Sequence, residues 1–207
     1  MALPQLFVIG DSISIYYGPH LERILQGKFA YSRKLGDEAL QNLDIPVGAN
    51  GGDSSMVLDF LRIVARSADF RPDILMVNCG MHDIKTDPHT GAKQIPLDQY
   101  RENLRQIVAL AGEIGTRMVW VRTTTLEEER HNAIQYRWFL RYSADVDAYN
   151  AVADEVMRET GVSVIDLHNF TRNLGGELYI DHAHFTDRVS ECQAAFIAGT
   201  LCALAEG

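Results

Sequence analysis

Apolar residues along this chain fall into two alternating patterns. Five short runs are apolar at nearly every position: Gln5–Gly10, Ile45–Asn50, Ile74–Gly80, Arg117–Thr124 and Ser163–His168. Most are rich in Val and Ile, and several lack polar alternation, as strands covered on both faces do. Between them the period lengthens. Within Leu97–Gly115, Tyr100, Leu104, Ile107, Val108, Ala111 and Ile114 recur at helical spacing. Val57, Phe60, Leu61, Val64 and Ala68 repeat the pattern earlier, and Val146, Tyr149, Ala153, Val156 and Met157 repeat it later. Each set is one apolar stripe on an otherwise polar helix. Asp187–Glu206 predicts a closing helix.

Strands alternating with helices predict a parallel sheet joined by right-handed crossovers, with helices on both faces. The expected fold class is therefore α/β, with residues 1–207 forming one domain. No internal repeat or interdomain linker interrupts the alternation. The least regular stretches are 28–44, 84–96 and 125–144. The last is dense in charge and aromatics, from Glu127 to Arg141, and reads either as a solvated helical insertion or as a substrate lid.

The order of elements matters for chemistry because ligands of open parallel sheets bind outside the carboxyl ends of the strands. Past the first run come Asp11 and Ser12. Past the second come Asn50, Gly51, Gly52 and Asp53. Past the third come Met81, His82 and Asp83, and past the fourth Thr123, Thr124 and Thr125. Downstream of the fifth comes Asp181-His182-Ala183-His184. On this topology all of them share one edge. Acyl transfer by a serine needs a base, a group orienting the base and donors for the oxyanion. Ser12 can serve as nucleophile, His184 as base and Asp181 as orienting acid. The backbone N–H groups of Ser12 and Gly52 can serve as donors. His182 is a rival base, but adjacent side chains in an extended loop diverge. Taken singly each motif has a plainer reading: Asp11 or Ser12 as a helix N-cap, Gly51-Gly52 as a turn, Asp181 and His184 as loop hydrogen-bonders.

Together these residues resemble the SGNH hydrolases, the GDSL esterase/lipase superfamily, over nearly the whole chain. Gly10-Asp11-Ser12-Ile13 resembles the first block, Asn50-Gly51-Gly52-Asp53-Ser54 the second, Gly80-Met81-His82-Asp83 the third and Asp181-His182-Ala183-His184 the last. The resemblance implies a three-layer α/β/α sandwich with a flavodoxin-like five-stranded parallel sheet. It also implies a triad of Ser12, Asp181 and His184 and serine-ester hydrolysis without metal or other cofactor. Ile13 stands where the first block usually has Leu, and one departure bears on chemistry: His82 stands where the family has an oxyanion-hole asparagine. An Asn amide always offers an N–H, whereas a neutral His offers one only in the right tautomer. His82 therefore replaces the donor, or is structural, or marks a protein that only binds ligands. Asp83, or a backbone group, is the expected acceptor that would select the useful tautomer.

The remaining composition narrows the partners. A net charge of -9 argues against non-specific nucleic-acid binding and anionic membranes. No run is long enough to span a membrane, and the first residues lack a signal-peptide pattern, which gives a cytoplasmic expectation. Cys79, Cys192 and Cys202 form no CxxC pair and read as reduced, buried thiols. His82, Asp181, His182 and His184 are zinc-competent types, but their spacing matches no familiar metal motif. The expected substrate is a small-molecule or carbohydrate ester, an acetyl group above all, with an acyltransferase or thioesterase as alternatives. Asp11, Asp83, Arg122, Arg130 and His131 are candidates for the substrate rim, joined by Arg137 and Trp138. Tyr16, Tyr17 and His20 either line the pocket or pack the first helix.

Overall fold

The computed structural model describes residues 2–36, 43–135 and 138–206. Five strands make one parallel sheet: β1 (Gln5–Ile9), β2 (Ala30–Arg33), β3 (Ile74–Val77), β4 (Arg117–Val121) and β5 (Ser163–Ile165). Their spatial order is β2-β1-β3-β4-β5. The first crossover runs one way from β1 and the next runs the other way. The reversal leaves a crevice at the carboxyl ends of β1 and β3, the position where such sheets bind ligands.

Among the described residues seven helices accompany the strands, the last two after β5: α1 (Ser12–Leu25), α2 (Ser54–Val64), α3 (Leu97–Ile114), α4 (Glu128–Asn132), α5 (Ser143–Thr160), α6 (Leu167–Arg172) and α7 (Asp187–Glu206). α7 packs against α1 and α6, while α3 packs against α2 and α5, giving the expected α/β/α layers. Leu75, Val77, Val119 and Trp120 of the central strands are fully buried. Burial on both faces is why those strands read as unbroken apolar runs. Among the described residues no helix is long and apolar enough to cross a membrane. All three cysteines are free; Cys79 is buried, and Cys192 and Cys202 are only half-buried.

The second strand is a correction. It lies at Ala30–Arg33, inside the stretch read as irregular, and not at Ile45–Asn50. β2 is an edge strand of four residues whose side chains alternate between exposed and half-buried, so it needs no apolar run. Ile45 and Val47 are 49% and 39% exposed in a turn-rich loop. That loop still delivers Asn50–Asp53 to the predicted edge, because Gly51 N–H donates to the Gly10 carbonyl at 2.8 Å. The other strands are shorter than expected and stop at Ile9, Val77, Val121 and Ile165, where the chain turns out of the sheet.

The two sides of α2 carry a direct test. Leu61 is fully buried and Ile63, two residues on, is 66% exposed. Leu61→Ala is expected to cost about 2–5 kcal/mol in denaturant unfolding, and Ile63→Ala less than about 0.5 kcal/mol. Equal losses would mean that α2 is seated on the wrong face.

Candidate active site

Ser12 is the first residue of α1. Asp11 caps that helix, its carboxylate accepting the Ile13 N–H at 3.0 Å. A serine at this position has its own N–H free of any intrahelical acceptor, at the positive end of the helix dipole. At the other end of the chain, Asp181 folds its loop around one carboxylate. Oδ1 accepts the N–H groups of Ala183 and His184, each at 2.8 Å. Oδ2 lies 2.7 Å from His184 Nδ1. Burial works against the Asp181 charge, but the bonds from His184 and the two backbone N–H groups outweigh it and hold this carboxyl well below the usual carboxylate range.

A carboxylate only accepts, so His184 Nδ1 carries the proton in that contact. In the neutral ring Nε2 then bears the lone pair. Ser12 Oγ lies 2.8 Å from that Nε2, so the serine hydroxyl donates to it. This is within the reach required for proton transfer. Ser12 and His184 are both about 6% exposed. Tyr16 covers the imidazole from the next turn of α1, with ring centroids 5.3 Å apart. The rival, His182, instead faces His131, with Nδ1 atoms 3.0 Å apart. Among the described residues no group of three or more His, Cys, Asp or Glu converges on a metal-sized site.

The oxyanion side differs from the expectation in two respects. Gly52 N–H is already donated to Asn50 Oδ1 at 3.0 Å. Asn50 is itself fully buried, and its Nδ2 has no partner. Gly52 adopts φ +75°, a left-handed backbone conformation that favours glycine. The second departure is the expected contact between Asp83 and His82. Asp83 Oδ1 accepts the Ser54 N–H at 2.9 Å, while Asp83 Oδ2 and His82 Nδ1 are both buried without partners. No hydrogen bond at Nδ1 selects the tautomer. Burial, with the charges of Lys85, Arg141 and His184, holds the His82 pKa well below the usual imidazole value, so the ring is neutral. Gly80 brings His82 into place. Its φ is +143°, and a Cβ would meet Thr123 Oγ1 at 2.4 Å.

The rim candidates are mostly not at a rim. Asp11 is a buried helix cap whose pKa is raised by desolvation, and Asp83 is fully buried beneath the site. Arg122 pairs with Asp166 at 2.7 Å and Asp154 at 3.2 Å, tying β4 to the neighbouring helices. His131 is fully buried against His182. Arg130 is exposed, and its guanidinium donates to the Asp181 carbonyl at 2.9 Å and the Ile180 carbonyl at 3.2 Å. It braces the acid loop. Tyr17 is core, and His20 bonds Asp187 at 2.8 Å. Arg137 lies outside the described residues.

Two supports were not assigned a role from the sequence. Arg141, almost wholly buried, donates from Nε to the Met81 carbonyl at 2.9 Å and stacks on Phe139. The Glu127 N–H donates to the His182 carbonyl at 2.9 Å. The described parts of the charge-dense stretch 125–144, the short helix α4 among them, are bonded to both the Asp181 loop and the third motif block. An arginine amid aromatics was the available signal for Arg141; nothing local marks Glu127.

Residues 8–191 match the GDSL-like Lipase/Acylhydrolase family. No curated protein matches. Among solved structures, the chain is similar to a lipase/acylhydrolase from Enterococcus faecalis, with 19% identity, TM-score 0.70, and 96% of this chain and 95% of that one covered. It is similar to the acetyl xylan esterase AlAXEase, with 14% identity, TM-score 0.68, and coverage of 95% and 99%. It also resembles the psychrotrophic esterase EstA from Pseudoalteromonas sp., in a structure inhibited by monoethylphosphonate, with 10% identity, TM-score 0.68, and coverage of 98% and 99%. At these identities the structural likeness establishes the shared fold.

Desolvation raises the Asp83 carboxyl to about 7. In the unfolded chain the same group titrates near ~3.9. The native state therefore holds this proton more tightly, and the associated stability is full below about pH 4 and lost as pH rises towards 7. Asp83→Asn keeps an acceptor for Ser54 N–H and removes the charge. It is expected to match the parent near pH 4 and exceed it at pH 8, by up to about 4 kcal/mol. Urea unfolding at the two pH values checks this, and parallel stability curves would refute it.

Proposed function

We propose, from the premise that this chain belongs to the GDSL-like lipase/acylhydrolase family and is a carboxylic ester hydrolase, that Ser12, His184 and Asp181 carry the reaction through an acyl-enzyme. The supporting observation is the continuous relay from Ser12 Oγ to His184 Nε2 and from Nδ1 to Asp181 Oδ2. His184 takes the Ser12 proton as Oγ attacks the ester carbonyl. Asp181, held ionised, stabilises the imidazolium and keeps the ring from turning. His184 then protonates the leaving alcohol, and a water molecule repeats the sequence on the acyl-enzyme.

The oxyanion is received by the Ser12 N–H at the head of α1 and by His82, with the Gly52 N–H shared between it and Asn50 Oδ1. Because Gly52 N–H already serves Asn50, the hole leans on His82 more than it would on a third donor added to two free ones. The neutral state of His82 suits this role, and with no acceptor at Nδ1 the developing negative charge itself favours the Nε2–H tautomer. The substrate in this reading is a short acyl group, acetyl in the first instance, on a carbohydrate or other polar alcohol. The fold shared with AlAXEase, an acetyl xylan esterase, supports that choice.

A fluorophosphonate probe is expected to label Ser12, as the phosphonate-inhibited state of EstA suggests. Ser12→Ala should abolish both labelling and turnover of p-nitrophenyl acetate. Wild-type turnover in that variant would refute the scheme. Steady-state kinetics then isolate His82. Removing one oxyanion donor lowers kcat by ~10²–10³ with little change in KM, so His82→Ala should do so and His82→Asn should recover much of the loss. An alanine variant at parental kcat would take His82 out of the mechanism. A panel of p-nitrophenyl esters of increasing chain length, with acetylated sugars alongside, reads the acyl preference.

A further inference from the structure

A second cavity, of about 240 Å³, adjoins the third motif block. Its walls include Lys85, Asp87, Thr90, Lys93, Gln94 and Trp138. It is built on the chain that leaves His82. Lys85 N–H donates to the His82 carbonyl at 3.3 Å, and Gln94 N–H returns to the Lys85 carbonyl at 2.6 Å. Thr86 bridges both Lys93 and Leu140 in antiparallel pairing, which brings Trp138 alongside. The cavity and the oxyanion segment therefore share a backbone.

Trp138 is 59% exposed, although its ring is held on two sides. The Lys85 ammonium lies 5.1 Å from its centroid, and Phe139 meets it edge-on at 4.6 Å. Such a ring is a large, preset surface that loses little freedom on binding. The chemistry around it selects the ligand. Cations are disfavoured because Lys85 already occupies the ring's electrostatic attraction. Anions are disfavoured because both lysines are committed: Lys85 donates to the Asp44 carbonyl, and Lys93 to Asp145 and Thr86. Asp87 is also held below the usual carboxylate range by bonds from Thr90 and His89, so a negative charge stands at the lip. A purely apolar group would take water from the charged Asp87 carboxylate, whose Oδ1 accepts from His89 and Thr90, and would offer it nothing in return. A neutral ring with one C–H face and a hydroxyl edge meets each of these conditions. Pockets for drug-sized ligands run to roughly 300–1,000 Å³, so this smaller one takes a single ring.

We infer that this cavity is a sugar subsite for the alcohol half of the ester, in which a neutral pyranose stacks on Trp138 and hydrogen-bonds along the Asp87–Gln94 wall. The inference rests on the esterase reading above for its link to catalysis, but not for binding itself.

The test uses the fact that the chain has two tryptophans, of which Trp120 is fully buried. Fluorescence of the Ser12→Ala protein, titrated with an acetylated xylo-oligosaccharide, should shift through Trp138 and should stay flat in the Ser12→Ala/Trp138→Phe double variant. In the catalytically intact protein, Trp138→Ala should lower kcat/KM for the acetylated oligosaccharide relative to p-nitrophenyl acetate by about tenfold, through KM. Trp138→Phe should lower it less. An unchanged ratio in both variants, or a titration signal that survives the double substitution, overturns the subsite. Turnover of p-nitrophenyl acetate with no gain for sugar acetates over methyl acetate also overturns it, while leaving the esterase standing. Absence of Ser12 labelling and of all ester turnover refutes the esterase, and the titration still decides the subsite.

Discussion

The 2.8 Å contact between Ser12 and His184 joins residues 172 positions apart, and much of the fold serves to hold it. Ser12 opens α1, and His184 stands three residues before α7. These two helices pack side by side on the same face of the sheet. His20–Asp187 and Arg23–Glu191 pair them at the surface, at 2.8 and 2.7 Å. Exposed pairs of this kind contribute at most ~1 kcal/mol each, so the spacing is set by the apolar seam that includes Leu21, Val189 and Ile197. A loop alone could not keep these two side chains within hydrogen-bond reach. Two packed helices, one opening at Ser12 and the other starting three residues after His184, can.

The electrostatics follow from the same burial. The crevice between β1 and β3 is polar, yet it is closed tightly enough to desolvate Asp11, His82 and Asp83. Asp181 is treated differently. It receives three hydrogen bonds and remains ionised despite partial burial. The site thus holds one carboxyl charged, beside the imidazole that needs it, and makes the charge of others costly. The same desolvation that keeps His82 neutral makes a hydrogen bond from it to an oxyanion strong, because little water competes.

Much of this was legible in the sequence, where burial left a pattern. β1, β3 and β4 are covered on both faces and appear as apolar runs. The stripes of α3 and α5 face one layer and keep helical period. β2 has one neighbour and half-exposed side chains, so its four residues carry no such mark, while the exposed Ile45 and Val47 imitate one. Ser12, Asp181 and His184 stood out because acyl-transfer chemistry calls for those residue types at the ends of elements, and the structure brings the three within hydrogen-bond distance. The rim candidates depart from the expectation because a charged side chain can be buried where partners hold it. Asp11 and Asp83 are capping and buried hydrogen-bonding groups, and Arg122 is an ion-pair tie. Tertiary partners decide such roles, and sequence spacing does not record them. The engagement of Gly52 N–H by Asn50 escaped for the same reason: a side chain two residues back competes for a donor that the motif suggests is free.

The stretch after β4 carries the last constraint. Arg130 and Glu127 hold carbonyls and backbone of the Asp181 loop, while Arg141 and Leu140 hold Met81 and Thr86 on either side of His82. One short piece of chain therefore touches both the loop that carries Asp181 and His184 and the segment that carries His82. Between those anchor points stands Trp138, on the wall of the adjoining cavity. A ligand that stacks on this tryptophan meets a segment already bonded to the Asp181 loop and to the chain around His82. Stacking on a preset ring is made equally before and during the reaction, so this contact adds to affinity and leaves the chemical step to the groups around Ser12.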